Sequence, residues 1–151
     1  MTDPFARFAE RVADAFATLG FPRMAANVVM ALTVSEEGRL TSAQLSERLG
    51  ISPAAVSGAI KYLTTLGMVV SSTVPGTRRH IYRLPDRPWY AASLVRPSVY
   101  SQLADMVERE AAHLPESPAA ERALEMASFL AFLRDRMPVL LTEWEESRGR
   151  G

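Results

Sequence analysis

Two glycines and two helix-start signals lie close together in the middle of the chain and restrict its fold more than any other feature. Thr41 and Gln44 have the spacing of a capping box, so a short helix is predicted to begin there. It ends at Gly50, because glycine adopts the left-handed conformation that closes a helix at little steric cost. Ser52 and the proline after it start another helix, which runs to Leu66. The sequence therefore predicts two helices joined by a tight glycine turn.

A β-hairpin is predicted directly after the second of these helices. Residues 68–74 are rich in β-branched side chains, Pro75 and Gly76 form a turn signal, and residues 77–84 alternate between apolar and polar. Helix, glycine turn, helix and hairpin in this order are typical of a winged helix–turn–helix. In that arrangement the second helix, here 52–66, enters the major groove of DNA, and the wing, here 71–84, reaches the adjacent backbone or minor groove.

Helices are predicted on both sides of this segment. Apolar residues at three- and four-residue spacing indicate an amphipathic helix that ends at Gly20 and a broader apolar helix after Pro22. Beyond Pro88 the chain turns helical again, and a last helix starts near Pro118. We predict a mainly α fold with a small β-hairpin wing. Its parts are N-terminal helices (1–34), a winged helix–turn–helix lobe (35–87) and long C-terminal dimerisation helices (88–151).

The charge distribution also favours the central segment as the functional one. The 151 residues hold 17 Lys and Arg and 17 Asp and Glu, so the net charge of the whole chain indicates no partner. Residues 39–87 hold seven basic residues against two acidic ones, a net charge of +5, and the rest hold ten against fifteen, a net charge of −5. Because phosphate contacts contribute strongly to DNA affinity, this cationic segment indicates double-stranded DNA as the partner.

The spacing of apolar residues in the second helix separates a core face from an outer face. Val56, Ile60 and Leu63 repeat on the core face, which turns small side chains and Lys61 outward. Small residues let a helix approach base edges closely, and the adjacent Arg78 and Arg79 near the hairpin tip suit phosphate or the minor groove. The candidate DNA-binding residues are Thr41, Ser52, Pro53, Ala54, Ser57, Gly58, Lys61, Tyr62, Thr77, Arg78 and Arg79.

The outer helices carry more apolar side chains than one small winged domain can cover. They form either an interior core or an interface shared by two copies of the chain, and we favour the homodimer, because an exposed patch of that size would aggregate. A dimer would set two reading helices about 34–36 Å apart, one turn of DNA. The residues that lead to this interpretation are Val99, Leu103, Met106, Leu124, Phe129, Phe132, Leu133 and Leu140.

A family resemblance supports this interpretation. The stretch LTSAQLSERLGISPAAVSGAIKYLTTLGMVVSSTVPGTRRHIYRL resembles the winged-helix core of the MarR-type bacterial transcription regulators, notably in its SPAAVS, LTTLGMV and GTRR segments. The preceding LGFPRMAANVVMAL is similar to the glycine-betaine-synthesis regulator branch. The chain departs from the family at Gly58, where many relatives carry arginine, so the resemblance does not extend to an arginine base contact there.

The resemblance implies a sequence-specific regulator, most often a repressor, that binds DNA as a homodimer with intertwined first and last helices. It places Arg78 and Arg79 at wing positions that commonly touch DNA. It also implies a small apolar effector in a cleft between the DNA-binding lobe and the dimerisation helices. For that pocket we select Phe16, Met24, Trp89 and Tyr90 as wall residues.

Catalytic and metal sites have no support in the sequence. The chain has no cysteine, its two histidines, His80 and His113, lie on different predicted elements, and it contains no HExxH, GxSxG, P-loop or GxGxxG motif. We expect no enzyme activity, metal or cofactor. The start of the chain lacks the apolar core of a signal peptide and no apolar run would span a membrane, so a cytoplasmic protein is predicted.

Two other classes of function are alternatives to DNA binding. A winged helix that has lost DNA binding could use the same surface as a protein–protein interaction module, and small residues such as Ala54 and Gly58 keep that alternative open. A small-molecule hydrolase or transferase lacks a nucleophile and base. A gel-shift measurement of DNA binding at two salt concentrations distinguishes the regulator from both of these alternatives.

Overall fold

Local capping signals set the bounds of the central helices. The computed structural model describes residues 3–86 and 97–149, and contacts divide the chain into two compact units, 1–92 and 93–151. The Thr41 capping box, Gly50 in the left-handed region at φ 62° and Ser52 before proline all lie where the sequence predicts them. The elements are α1 (Pro4–Thr18), α2 (Arg23–Thr33), β1 (Arg39–Thr41), α3 (Ser42–Leu49), α4 (Pro53–Thr65), β2 (Val70–Thr73), β3 (His80–Arg83), α5 (Pro97–Ala111) and α6 (Pro118–Arg148).

The predicted hairpin is part of a three-stranded antiparallel sheet in the order β1-β3-β2. Val70 pairs with Arg83 and Thr73 with His80, while on the other edge of β3 Leu40 pairs with Tyr82. Strand β1 was not predicted, because three residues are too few to show the period-2 alternation of a strand. Buried Leu40 fixes the register of this strand and ties the wing to the start of α3.

The core of the first unit is built around α2. Seven of its eleven residues are buried, and Leu45 of α3 and Leu63 of α4 pack into the same cluster with no exposed surface. Full burial of one such side chain contributes about 1.5–3 kcal/mol, so this cluster fixes α4 firmly against the helices behind it. Residues 1–34 and 35–87 thus share one core, and their division into a dimerisation part and a DNA-binding part stays a functional prediction.

In the described part of the second unit, residues 97–149, the two helices α5 and α6 pack on each other. The first residue of α5 is Pro97, and proline is tolerated in the first turn of a helix because its missing N–H has no partner there. Ser117 caps α6 through a 3.2 Å hydrogen bond that its hydroxyl accepts from the Ala120 N–H. The Arg134 guanidinium of α6 lies 3.3 Å from the Asp105 carboxylate of α5 and also binds the neighbouring Asp135. Among the described side chains, those that this pair buries are small apart from Leu130, and they are Ala104, Ala111, Ala120, Ala127 and Leu130.

Candidate nucleic-acid interface

The turn between α3 and α4 holds the two helices at a fixed angle. The Ser46 hydroxyl donates to the Ile51 carbonyl at 2.5 Å, and the Ile51 N–H donates back to the Ser46 carbonyl at 3.2 Å. These bonds satisfy backbone groups that the end of a helix leaves without partners. The turn is therefore rigid, and it presents the N-terminal half of α4 in a defined orientation.

The faces of α4 are those that its sequence predicts. Val56, Ile60 and Leu63 are buried, and Leu66, just after the helix, packs partly buried against the same cluster. The opposite side is exposed and carries Ala54, Ser57, Gly58 and Lys61, here called the reading face. Its side chains are short at every position except Lys61, so the helix can lie close to a flat or grooved surface.

Two hydroxyl groups at helix starts serve the protein's own backbone. The Thr41 hydroxyl accepts from the Gln44 N–H at 3.2 Å while the Gln44 amide oxygen accepts from the Thr41 N–H at 2.8 Å. The Ser52 hydroxyl accepts from the Ala55 N–H at 3.2 Å, and Pro53 is exposed in the first turn of α4. Each hydroxyl retains its proton as a donor, so Thr41 and Ser52 can still bind an anion.

The wing tip is a tight turn braced from within. The Thr77 N–H donates to the Val74 carbonyl at 3.1 Å, and Pro75 followed by Gly76 at φ 77° matches a type II turn. The Thr77 hydroxyl donates to the Val74 carbonyl at 3.1 Å and accepts from the Arg79 N–H at 3.2 Å. Thr77 therefore stabilises the wing turn, and its hydroxyl proton is already donated to the Val74 carbonyl.

Cations on this side of the molecule differ in whether an acid neutralises them. Arg39 lies 2.9 Å from Glu37, and Arg83 lies 3.8 Å from Asp86. Within residues 3–86 and 97–149, by contrast, no carboxylate lies within salt-bridge distance of Lys61, Arg78 or Arg79, and all three are exposed. An exposed cation without an acidic neighbour keeps its full attraction for phosphate.

Tyr62 was predicted to contact DNA, and in the structure its ring packs against Phe21. It is 39% exposed, and its ring meets Phe21 edge-on with centroids 5.4 Å apart, while Phe21 contacts Phe16 at 5.6 Å. Phe21 was not among the predicted site residues, because it lies between Gly20 and Pro22, in a loop that helical periodicity does not cover. The ring contacts connect α1 to the flank of α4.

The predicted pocket residues are only partly described. Phe16 and Met24 are half-buried and pack against the core cluster. Trp89 and Tyr90 lie outside the described residues. An open cleft of about 550 Å³ lies elsewhere in the first unit, lined by residues of α1, α2 and α3 that include Glu10, Asn27 and Arg48.

His80 follows the two wing arginines in the chain and is the first residue of β3. Its Nδ1 lies 3.4 Å from the Ser71 hydroxyl across the hairpin, and its ring stacks on Tyr82 with centroids 6.5 Å apart. In the described residues no three His, Asp or Glu side chains come together as metal ligands. In that same part of the chain, no helix has both the length and the hydropathy needed to cross a bilayer.

Comparison with known proteins agrees with this geometry. A model of the MarR family matches residues 19–80, and a model described as MmpR5-like MarR family transcriptional regulator matches residues 87–147. The chain is 24% identical to the HTH-type transcriptional regulator MmpR5 of Mycobacterium tuberculosis (strain ATCC 25618 / H37Rv) over 144 residues, which cover 94% of this chain and 87% of the relative.

A solved structure described as a transcriptional regulator superposes with a TM-score of 0.84 at 23% identity, covering 95% of this chain and 99% of the other. At that identity the superposition shows a common fold. The two family matches, one on each half of the chain, carry the family resemblance across most of its length. The similarity of residues 19–32 to the glycine-betaine branch is not tested by these matches and stays a prediction.

Proposed function

This chain belongs to the MarR family of DNA-binding transcription regulators, and on that premise we propose that it represses transcription as a homodimer. Each copy places α4 in a major groove and its wing on the adjacent backbone or minor groove. The observation that carries the proposal is the pairing of a small-residue reading face with three exposed cations, Lys61, Arg78 and Arg79, that lack an acidic partner in the described residues.

The site residues divide into two groups by chemistry. Arg78 and Arg79 at the wing tip bind phosphate or enter the minor groove, and the hydroxyl groups of Thr41 and Ser52 donate to phosphate as well. Ser57 and Lys61 reach base edges from the middle of α4, where Pro53, Ala54 and Gly58 allow close approach. Thr77 braces the wing turn through its own hydrogen bonds. The first group supplies affinity, and the second supplies sequence preference.

Homodimerisation is supported by large apolar side chains at the surface of α1, α5 and α6. Phe129 and Phe132 are each 59% exposed, and a patch of this kind on a monomer marks an interaction surface. A second copy would bury it and double the number of DNA-binding cations. The exposed side chains are Phe5, Phe8, Met106, Leu124, Met126, Phe129, Phe132, Val139, Leu140 and Trp144.

Release by a small apolar effector is the second part of the proposal. A ligand at Phe16 would act on α4 through Phe21 and Tyr62, whose ring contacts at 5.6 and 5.4 Å leave little room for independent movement. A screen of apolar compounds by thermal shift would identify binders, and Phe21→Ala would uncouple a binder from DNA release. If a binder still releases the Phe21→Ala variant from DNA, the effector does not act through Phe21, and this part of the proposal is contradicted.

Salt dependence of DNA affinity tests the proposed function. We would select duplexes from a randomised library with the wild-type chain and measure affinity by fluorescence anisotropy at two salt concentrations. If about 6–10 phosphates are contacted per dimer, affinity falls by roughly 10³–10⁵ between 50 and 200 mM salt. A flat salt dependence, or failure to enrich any duplex, contradicts DNA binding and favours the protein–protein interaction module.

The sign of regulation needs a separate experiment. We would place a reporter behind a promoter that contains the selected duplex and compare its output with and without the chain. Repression requires lower output in the presence of the chain. Higher output would make the protein an activator and leave the DNA-binding part of the proposal intact.

A further inference from the structure

Gly58 is the one glycine of residues 3–86 that the fold itself does not require. Gly20, Gly38, Gly50, Gly67 and Gly76 all have positive φ, the region where side chains cause strain. Gly58 instead has ordinary helical backbone in the middle of α4. A Cβ built on it meets no atom of the described residues within 4 Å. Neither backbone conformation nor packing within the chain explains why this residue has no side chain.

A glycine at this position works against the helix that contains it. Glycine is the least favourable residue in a helix interior after proline, because it loses the most backbone freedom on folding. Alanine would fit the open space and stabilise α4. The chain thus carries an unfavourable residue on an exposed helix surface without any intramolecular benefit that the structure shows.

The surroundings of Gly58 restrict where a benefit could arise. It lies on the reading face, opposite the buried Val56 and Ile60, with exposed Ala54 one turn before it and the cation Lys61 one turn after. The Tyr62 ring packs against Phe21, with centroids 5.4 Å apart, and so is directed away from residue 58. The backbone of α4 itself therefore forms the surface at residue 58. Whatever covers this point meets main-chain atoms directly.

We propose that Gly58 is a specificity-determining residue, the point where the α4 backbone lies in direct contact with a base-pair edge or sugar of the bound duplex. This inference rests on the proposed function and adds that readout at residue 58 is by shape, through exclusion of any Cβ. Duplexes whose groove admits the bare backbone bind tightly, and the contact is absent in non-specific binding, where the helix sits less deeply.

Gly58→Ala tests the inference, because its effects on folding and binding have opposite signs. We expect the melting temperature to rise by about 2–4 °C. Affinity for the duplex selected by wild type should fall roughly 10–100-fold, as for a methyl group forced into a packed contact, while affinity for a scrambled duplex of equal length stays within about twofold.

Thr64→Ala is the matched control. Thr64 is exposed on the same helix, and alanine there also improves helix propensity but adds no atoms. It should leave both duplex affinities unchanged. Unchanged or tighter binding of the selected duplex by Gly58→Ala, an equal loss on both duplexes, or a lower melting temperature would each overturn the inference while leaving the proposed function standing. A wild-type chain that enriches no duplex overturns both.

Discussion

Among the large apolar side chains of residues 23–86 only Tyr62 is exposed, whereas the α5–α6 pair leaves most of its described ones at the surface. In the first part Leu32, Leu45 and Leu63 are fully buried, and in the second Leu130 is the largest buried residue of those described. Both parts are helical and both are rich in apolar residues, so composition does not distinguish them. The difference teaches that the core around α2 is complete in one copy of the chain, while the exposed apolar side chains of the α5–α6 pair, together with Phe5 and Phe8 of α1, are available to an external surface.

The largest expected effect comes from a substitution in the core of the winged unit. Leu63→Ala removes a side chain with no exposed surface from the contact between α4 and the core cluster. We expect the free energy of unfolding to fall by about 2–5 kcal/mol, measured by urea denaturation at several protein concentrations. Leu124→Ala on α6, which truncates a half-exposed leucine, is the control. An equal loss for both at low protein concentration would remove the distinction between the two units.

The next largest effect comes from substitutions that weaken the dimer that we propose for the second unit. Phe129→Ser combined with Phe132→Ser removes two exposed rings from α6, and we expect the dimer dissociation constant to rise roughly 10²–10³-fold. Sedimentation equilibrium measures it, and circular dichroism checks that the helices persist. Ser128→Ala, at an exposed position beside the two rings, should leave the dimer intact. A double variant that remains as dimeric as wild type would show that these rings do not form the interface.

A smaller effect separates paired from unpaired cations on the winged unit. Arg79→Ala should weaken binding to selected and scrambled duplexes alike, by about tenfold at low salt, and lower the slope of log affinity against log salt by about 1. Arg39→Ala, whose guanidinium already binds Glu37 at 2.9 Å, should change affinity much less. A loss confined to the selected duplex would reassign Arg79 from phosphate to base contact.

The smallest effect concerns the acid stability of the second unit. A hydrogen bond from Arg134 lowers the pKa of the Asp135 carboxyl below its ordinary value of 3.8. A lowered pKa in the folded state means that the ionised form is stabilised by folding, so this stability is present above pH 3.8 and is lost as pH falls through the lowered pKa. Asp135→Asn should flatten the acid side of a plot of melting temperature against pH. An unchanged plot would show that the pair contributes nothing to stability.

The central helices were predictable because their signals are local. Thr41, Gly50 and Ser52 act on backbone groups within four residues, so the sequence predicted their hydrogen bonds and the αL turn correctly. The core and reading faces of α4 followed from helical period alone. The third strand, β1, was not predictable from the sequence. It exists only through its pairing with β3, whose residues lie about forty positions later in the chain.

The candidate site was predictable in its residue types but not in their partners. The sequence indicated Arg78 and Arg79, and the structure adds that Arg83, unlike them, lies 3.8 Å from the carboxylate of Asp86, three residues later in the chain. It indicated Tyr62 as an outward residue, and the structure adds that Phe21 holds one side of its ring. Partner choice depends on which side chains meet across elements, and periodicity along one element carries no such information.

By itself the sequence determined the order of elements, the ends of the helices around the glycine turn and the cationic character of residues 39–87, since each depends on near neighbours or on composition. Tertiary structure decided that β1 pairs with β3, that the Phe21 ring packs against Tyr62 and that Leu45 and Leu63 share one buried core with α2. These properties depend on contacts between residues far apart in the chain, and such contacts form only when the core around α2 brings those residues together.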